Sequence, residues 1–326
     1  METLLQHQNV AWDQVAAKGV YFYYVPSDSP ETTHNPHGMI CLAEGLRKLG
    51  IPIYANVNFW QISTSPKKYL FNQCPGISPL DCDVVVFDRS WFDIANRTAP
   101  GEVFKVGRDH ITVYVDSSDG AISSAWKPSF RDFDVILKRH MLDGFSYPSN
   151  FYPWPFGLSN RMLESLEPWG QVSQRLQHFH VNFRNNHHHP HSVRRYVYKH
   201  VLGQVDQLMD LDIWEGSLSN LSSEMTERDR LYWAQTGKRH NPEYYRRLSQ
   251  SLACACFSGF FIEPFTKNHA SRFSRLSKRL LAKVNLKTST IVQWDSWRFW
   301  ESLAAGCASF QADFNKYSGS LLDKVH

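Results

Sequence analysis

Ile291-Val-Gln-Trp-Asp-Ser-Trp-Arg-Phe-Trp-Glu-Ser-Leu-Ala-Ala-Gly-Cys-Ala-Ser-Phe310 reads as strand, helix, strand, and this stretch decides the fold class. A β-branched pair opens it. Asp295 is an N-cap candidate for the helix, and Gly306 stops that helix before an apolar segment. Asp295, Ser296, Arg298 and Glu301 fall in its first two turns, among Trp294, Trp297 and Trp300. A helix facing only water has no use for three tryptophans. A site that stacks a ring and grips charged and hydroxyl groups does.

The same alternation of strand and helix runs upstream. Val20–Val25 is β-rich, and 37–49 has Met39, Leu42, Ala43, Leu46 and Leu49 on one helical stripe, ended by Gly50. Ile51–Val57 is the next strand, so the chain opens with a β-loop-α-β unit, which favours a parallel sheet. Asp83–Phe87 is a continuous apolar run suited to burial on both faces, and Ile111–Val115 and Phe133–Leu137 read as further strands. Proline and aromatics crowd 147–169, which reads as an irregular connection. Beyond it, Phe179–Arg184 and Leu252–Phe257 read as strands, Ser192–Met209 as a basic amphipathic helix, and Asn241–Ser251 as a helix with Pro242 at its start. The expected fold is α/β, with two Rossmann-like domains, 1–165 and 166–326, facing a cleft.

Composition narrows the function classes. With 326 residues, 42% hydrophobic and 20% charged, the chain can bury a sizeable core. Aromatics at 14% suit sugar binding, because a flat ring fits a pyranose face, and suit an aromatic core equally well. A net charge of +4 fits an anionic small ligand and is too modest to indicate nucleic acid. The six cysteines include no C-x-x-C pair, so neither a zinc site nor a disulfide framework is expected. The first residues lack a basic and apolar leader, and no run reaches membrane-spanning length, so a cytoplasmic protein is expected. The histidines of 187–191 read as a solvated turn, and the basic stretch 272–287 as a solvated or membrane-surface helix that would give peripheral membrane contact. No Walker A loop, G-x-S-x-G elbow, zincin pattern or G-x-G-x-x-G is present.

His37-Gly-Met with Leu42-Ala-Glu-Gly-Leu-Arg-Lys-Leu-Gly50 resembles the acceptor-domain opening of GT-B glycosyltransferases. Trp297-Arg-Phe-Trp-Glu-Ser-Leu-Ala-Ala-Gly-Cys307 is similar to their donor-domain signature, and Tyr245–Gly259 ahead of it looks like the exostosin-type branch. The resemblance implies a metal-independent hexosyltransferase-type enzyme of polysaccharide biosynthesis. It would take a nucleotide-sugar as co-substrate, use no cofactor, and act on a glycan or lipid-linked acceptor. Two features depart from the pattern. Only Glu301 of the usual acidic pair is clear, with Asp313 lying twelve residues on. The chain also ends soon after the signature, before the helix that crosses back to the first domain, so it is expected to be a fragment or to lack that brace.

Transfer from a nucleotide-sugar needs its leaving diphosphate stabilised, and arginines with helix N-termini can do this without a metal. The donor candidates are Arg184 at a strand end, Ser192 and Arg195 at the next helix start, and Asp295, Ser296, Arg298 and Glu301 on the signature helix. If Asp295 caps that helix, the phosphates fall to Arg184 and its neighbours, with Glu301 accepting from ribose hydroxyls. Glu301 is also spaced to form an ordinary ion pair with Arg298. Catalytic candidates are His37, Asp88 and Asp116, and acceptor-side candidates Gly38, Asp119 and Lys138, all at strand ends or the first helix start. Asp116 and Asp119 lie three apart, a spacing of a turn or cap rather than of a D-x-D metal site, so no metal is expected. Two other functions fit the same residues: a nucleotide-sugar epimerase, and a catalytically inactive glycan-binding or scaffold protein on the same fold.

Overall fold

A computed structural model describes residues 18–25, 37–118, 130–141, 147–166, 175–183, 191–214, 225–261, 291–292 and 296–312. The fold is α/β, built on parallel sheets of six and four strands with helices between them. The chain divides into two compact units, Met1–Ser117 with Lys127–Leu137, and Ser118–Trp126 with Lys138–His326. Among the described residues no helix is long and apolar enough to cross a membrane.

The six-stranded sheet runs β2 (Ile53–Ala55), β1 (Val20–Tyr23), β5 (Val84–Asp88), β6 (Ile111–Asp116), β7 (Val135–Lys138) and β8 (Phe151–Pro153). β1 pairs in parallel with β2 and β5, and β5 with β6. Val85, Val86 and Phe87 are all buried, as an apolar run in a parallel sheet requires. Helix α1 (His37–Lys48) connects β1 to β2 and ends at Gly50, whose positive φ only glycine adopts cheaply. Its stripe is shorter than the spacing predicts: Met39 and Ala43 are buried, but Leu49 is exposed on the last turn. A hairpin of β3 (Phe59–Thr64) and β4 (Lys67–Phe71) follows β2.

The four-stranded sheet runs β10 (Asp210–Ile213), β9 (Leu176–Val181), β11 (Ser251–Ala255) and β14 (Ala308–Phe310), parallel throughout. The period-two alternation of side chains builds two cores. Phe179, Val181, Ala253 and Ala255 point to one face, against Val193 and Val197 of α3 (Val193–His200) and Leu202 of α4 (Leu202–Val205). Cys254 and Cys256 point to the other. There they meet Met162 of α2 (Asn160–Ser165), Tyr244, Tyr245 and Leu248 of α6 (Pro242–Gln250), and Phe299 of α7 (Trp297–Ala304). Each large side chain so buried contributes about 1.5–3 kcal/mol. A further helix, α5 (Glu227–Gln235), precedes α6, and a two-stranded pair joins β12 (Phe260–Phe261) to β13 (Ile291–Val292).

Several elements depart from the sequence expectation. The basic helix expected over 192–209 breaks at Val201 into α3 and α4, and β10 begins at Asp210. β9 ends at Val181, three residues short of Arg184. The connection at 147–169 is more ordered than its prolines suggest. It contains β8 and α2, and Met162 and Leu166 join the apolar cluster beneath α6 and α7. Trp297 and Trp300 pack against that same cluster, so both serve the core of this face. The basic stretch 272–287 and His187–Pro190 lie outside the described residues, while His191 is buried.

Candidate functional site

β9 leads through α3 and α4 to β10 on one side, and β11 leads through α7 to β14 on the other. β9 and β11 are neighbours, so their onward connections diverge. Their C-terminal edges therefore frame a switch point, where open α/β sheets bind ligands. Arg298 lies there, its Nη2 donating to Asn182 Oδ1 at 3.2 Å. Asn182 is held in turn by donating from Nδ2 to the Trp214 carbonyl at 3.1 Å. Arg298 Nε is buried and has no hydrogen-bond partner among the described residues. The N-termini of α3 and α7 flank the same edge. Val193 N donates to Gly259 O at 3.1 Å, and Arg194 Nε to Phe257 O at 3.2 Å.

Ser296, not Asp295, is the N-cap residue of α7. Its hydroxyl donates to Cys256 O at 3.3 Å and does not cap its own helix, while its carbonyl accepts from Phe299 N at 3.2 Å. Asp295, Arg184 and Asp119 lie outside the described residues. Ser192 is buried and caps α3, its Oγ accepting from Arg195 N at 3.5 Å. The Arg195 side chain is exposed, and it is Arg194 that reaches the end of β11.

Glu301 is only 4% exposed and does not form the pair with Arg298 that its spacing allows. Its two oxygens accept from Tyr244 Oη at 2.8 Å and from Tyr245 Oη at 3.0 Å. Tyr245 Oη accepts from Arg161 Nη1 at 2.7 Å, and the same nitrogen lies 3.2 Å from His240 Nδ1. Arg161 can only donate, so His240 Nδ1 accepts and Nε2–H donates to Asp229 Oδ1 at 2.9 Å. The result is a buried chain from Asp229 through His240, Arg161 and Tyr245 to Glu301. Burial pulls the His240 pKa from 6.5 down to about 4. Between those values the unfolded chain binds a proton that the folded protein refuses, so stability falls as pH drops through this window. The decline is about 3 kcal/mol. Urea unfolding at pH 7 and pH 4 should show it in the wild type and largely lose it in His240→Gln. An equal decline in the variant would remove His240 as its source.

The first unit has its own switch point, between β1 and β5, where α1 and a short helical turn over Ser90–Ile94 depart to opposite sides. Asp88 ends β5 and is fully buried. Its Oδ1 accepts from Ser90 N at 3.0 Å and from the Ser90 hydroxyl, while Oδ2 has no partner among the described residues. Ser90 Oγ also accepts from Val25 N at 3.4 Å, joining the ends of β1 and β5. Burial raises the Asp88 pKa to about 6, against opposing bonds from Ser90 and Trp91. His37 and Gly38 are buried in the first turn of α1, with His37 Nε2 3.4 Å from Cys41 Sγ. Asp116 is buried at the end of β6. Lys138 is fully buried in the second unit, donating to Ser118 O at 3.0 Å.

Asp88 carries a testable cost. From its ordinary pKa of 3.8 to about 6 the folded protein holds a proton the unfolded chain has lost, so stability falls as pH rises through this range. Asp88→Asn keeps an acceptor for Ser90 and removes the buried charge. It should be about 3 kcal/mol more stable than wild type at pH 8, with most of the gain gone at pH 4. A variant less stable at both pH values would make Asp88 a structural residue.

Several residues of these sites carry no local sequence signal. Tyr244 and Tyr245 meet Glu301 across more than fifty residues, and Arg161 meets His240 across 79. Ser90 was the detectable one, since a serine two residues after an aspartate commonly closes an Asx turn. No protein-family model matches the chain, and no curated protein matches it.

Proposed function

We propose that this protein is a glycosyltransferase of GT-B type that moves a sugar from a nucleotide-sugar to a hydroxyl of a glycan or lipid-linked acceptor, without a metal. The observation that carries the reading is the second-unit switch point. Arg298 places its guanidinium there, anchored through Nη2 to Asn182, beside the N-termini of α3 and α7. A diphosphate is acceptor-rich and anionic, and it complements a guanidinium and helix N-terminal N–H groups at one edge. The Arg298 guanidinium and the positive N-terminal end of α7 would carry the leaving group's charge.

In the first unit, Asp88 would take the proton of the acceptor hydroxyl. Its pKa near 6 suits a general base at neutral pH, and Ser90 holds its other oxygen. His37, Gly38 and Asp116 share that C-terminal edge and would line the acceptor side.

One observation favours the second reading, a glycan-binding or scaffold protein. Both Glu301 oxygens are engaged by tyrosines, so the ribose contact expected of this residue needs a rearrangement or another side chain. A thermal-shift series with ADP, GDP, UDP and CDP, followed by the matching sugar nucleotides, separates the two. A ligand at 100 times its Kd stabilises by about 2.7 kcal/mol. The transferase reading expects one diphosphate to raise Tm and its sugar nucleotide to be consumed. Binding without turnover would support the scaffold, and no shift with any of the four would end the donor-site assignment.

A further inference from the structure

On the face of the four-stranded sheet beneath α6 and α7, two buried polar atoms stand out that have no hydrogen-bond partner among the described residues. The first is His180 Nε2, on a side chain with no exposed surface. The ring's other nitrogen, Nδ1, lies 2.8 Å from Asp212 Oδ2. Asp212 is also held by Arg247 Nη1 at 2.6 Å, and these contacts, the His180 bond first, keep its carboxyl below the usual range. A carboxylate can only accept, so the ring carries a proton on Nδ1. Its Nδ1–H donates to Asp212, which leaves Nε2 a bare acceptor. The second atom is Arg298 Nε, a donor without an acceptor.

These atoms share a neighbourhood. His180 and Asn182 are two residues apart along β9 and its extension and therefore face the same way, and Asn182 Oδ1 binds Arg298. Tyr244 adjoins both. Its ring centroid is 5.8 Å from that of His180, and its hydroxyl donates at 2.8 Å to Glu301, one turn along α7 from Arg298. A lone acceptor beside a lone donor selects a particular ligand group. A phosphate oxygen would satisfy Arg298 and leave His180 bare, and an ammonium would do the reverse. A hydroxyl donates and accepts, and so meets both.

We propose that His180 Nε2 and Arg298 Nε form a hydroxyl-binding subsite for the sugar nucleotide, filled by a hydroxyl of the nucleoside ribose or of the transferred sugar. The proposal rests on the donor-site reading above. It supplies the hydroxyl contact that Glu301, held by Tyr244 and Tyr245, does not make.

Isothermal titration of the full chain tests it with three probes: the nucleoside diphosphate giving the largest thermal shift, its 2′,3′-dideoxy counterpart, and the corresponding sugar nucleotide. If a ribose hydroxyl fills the subsite, wild type binds the dideoxy compound about tenfold more weakly, and His180→Phe binds both diphosphates at that weaker level. If the sugar fills it, His180→Phe binds the diphosphate as wild type does and loses about tenfold on the sugar nucleotide alone. Arg298→Lys keeps the charge, removes the Nε donor and lies at a partly exposed position. It should lose the same hydroxyl increment, and it serves if His180→Phe does not fold. If both variants bind all three probes with wild-type ratios, His180 is a core residue and the subsite is wrong while the donor reading stands. If wild type binds none of the probes, both fail.

Discussion

Arg161→Met is expected to destabilise the protein by about 3–5 kcal/mol, the usual cost of stranding one member of a buried ionic pair. Arg161 is 5% exposed and reaches Glu301 only through the Tyr245 hydroxyl, so its charge and that of Glu301 balance across a single bridging group. Removing it leaves a carboxylate among Tyr244, Leu248 and Phe299, and takes the acceptor's partner from His240 Nδ1. Urea unfolding at pH 7 measures the loss. The double variant Arg161→Met with Glu301→Gln should recover part of it, because the stranded charge is then gone. If the two losses simply add, the residues are uncoupled and the chain of bonds is not an energetic unit. The network also ties α2, α6 and α7 to one another.

Arg298→Ala is expected to reduce kcat/KM for transfer by on the order of 10²–10³-fold, the usual effect of removing one preorganised donor from a developing charge. The side chain is partly exposed in the first turn of α7, and among the described residues truncation removes one side-chain hydrogen bond, from Nη2 to Asn182, so the unfolding midpoint should hardly move. That separation is the informative part. A fall in activity with unchanged stability assigns Arg298 to the ligand. Equal losses in both would make it a brace for Asn182 and the end of β9. Arg298→Lys should sit between wild type and Ala, because it keeps the charge and loses the planar fork.

How much of this was legible in the chain follows from the range of each interaction. Local periodicity was enough for β5, where Val85, Val86 and Phe87 run unbroken, and for α1 and α7, each closed by a glycine of positive φ. Pro242 and Asn241 marked the start of α6 for equally local reasons. Strand-end position also brought Asp88 and Asp116 forward, and helix-start position His37 and Arg298, because parallel sheets gather loops and helix starts at one edge. The reading weakened where tertiary contacts decide. The 147–169 stretch looked like a linker because prolines dominate it, yet Met162 and Leu166 are drawn into an apolar cluster. The hairpin of Phe59–Thr64 and Lys67–Phe71 has no strong local strand signal, since its second strand is short and basic at its start. Glu301 is expected at ribose hydroxyls through the resemblance, and no local pattern announces the two tyrosines that engage it from fifty-odd residues upstream. His180 was overlooked for the same reason, its partner Asp212 lying one strand away.

The central claim is that the second-unit switch point holds the diphosphate of an activated sugar. The most direct measurement is release of nucleoside diphosphate from a panel of sugar nucleotides, with acceptor glycans supplied, by wild type and by Arg298→Ala. The account predicts release from one donor by wild type and a loss on the order of 10²-fold or more in the variant. Equal release by both proteins, or no release and no binding by wild type across the panel, would contradict it.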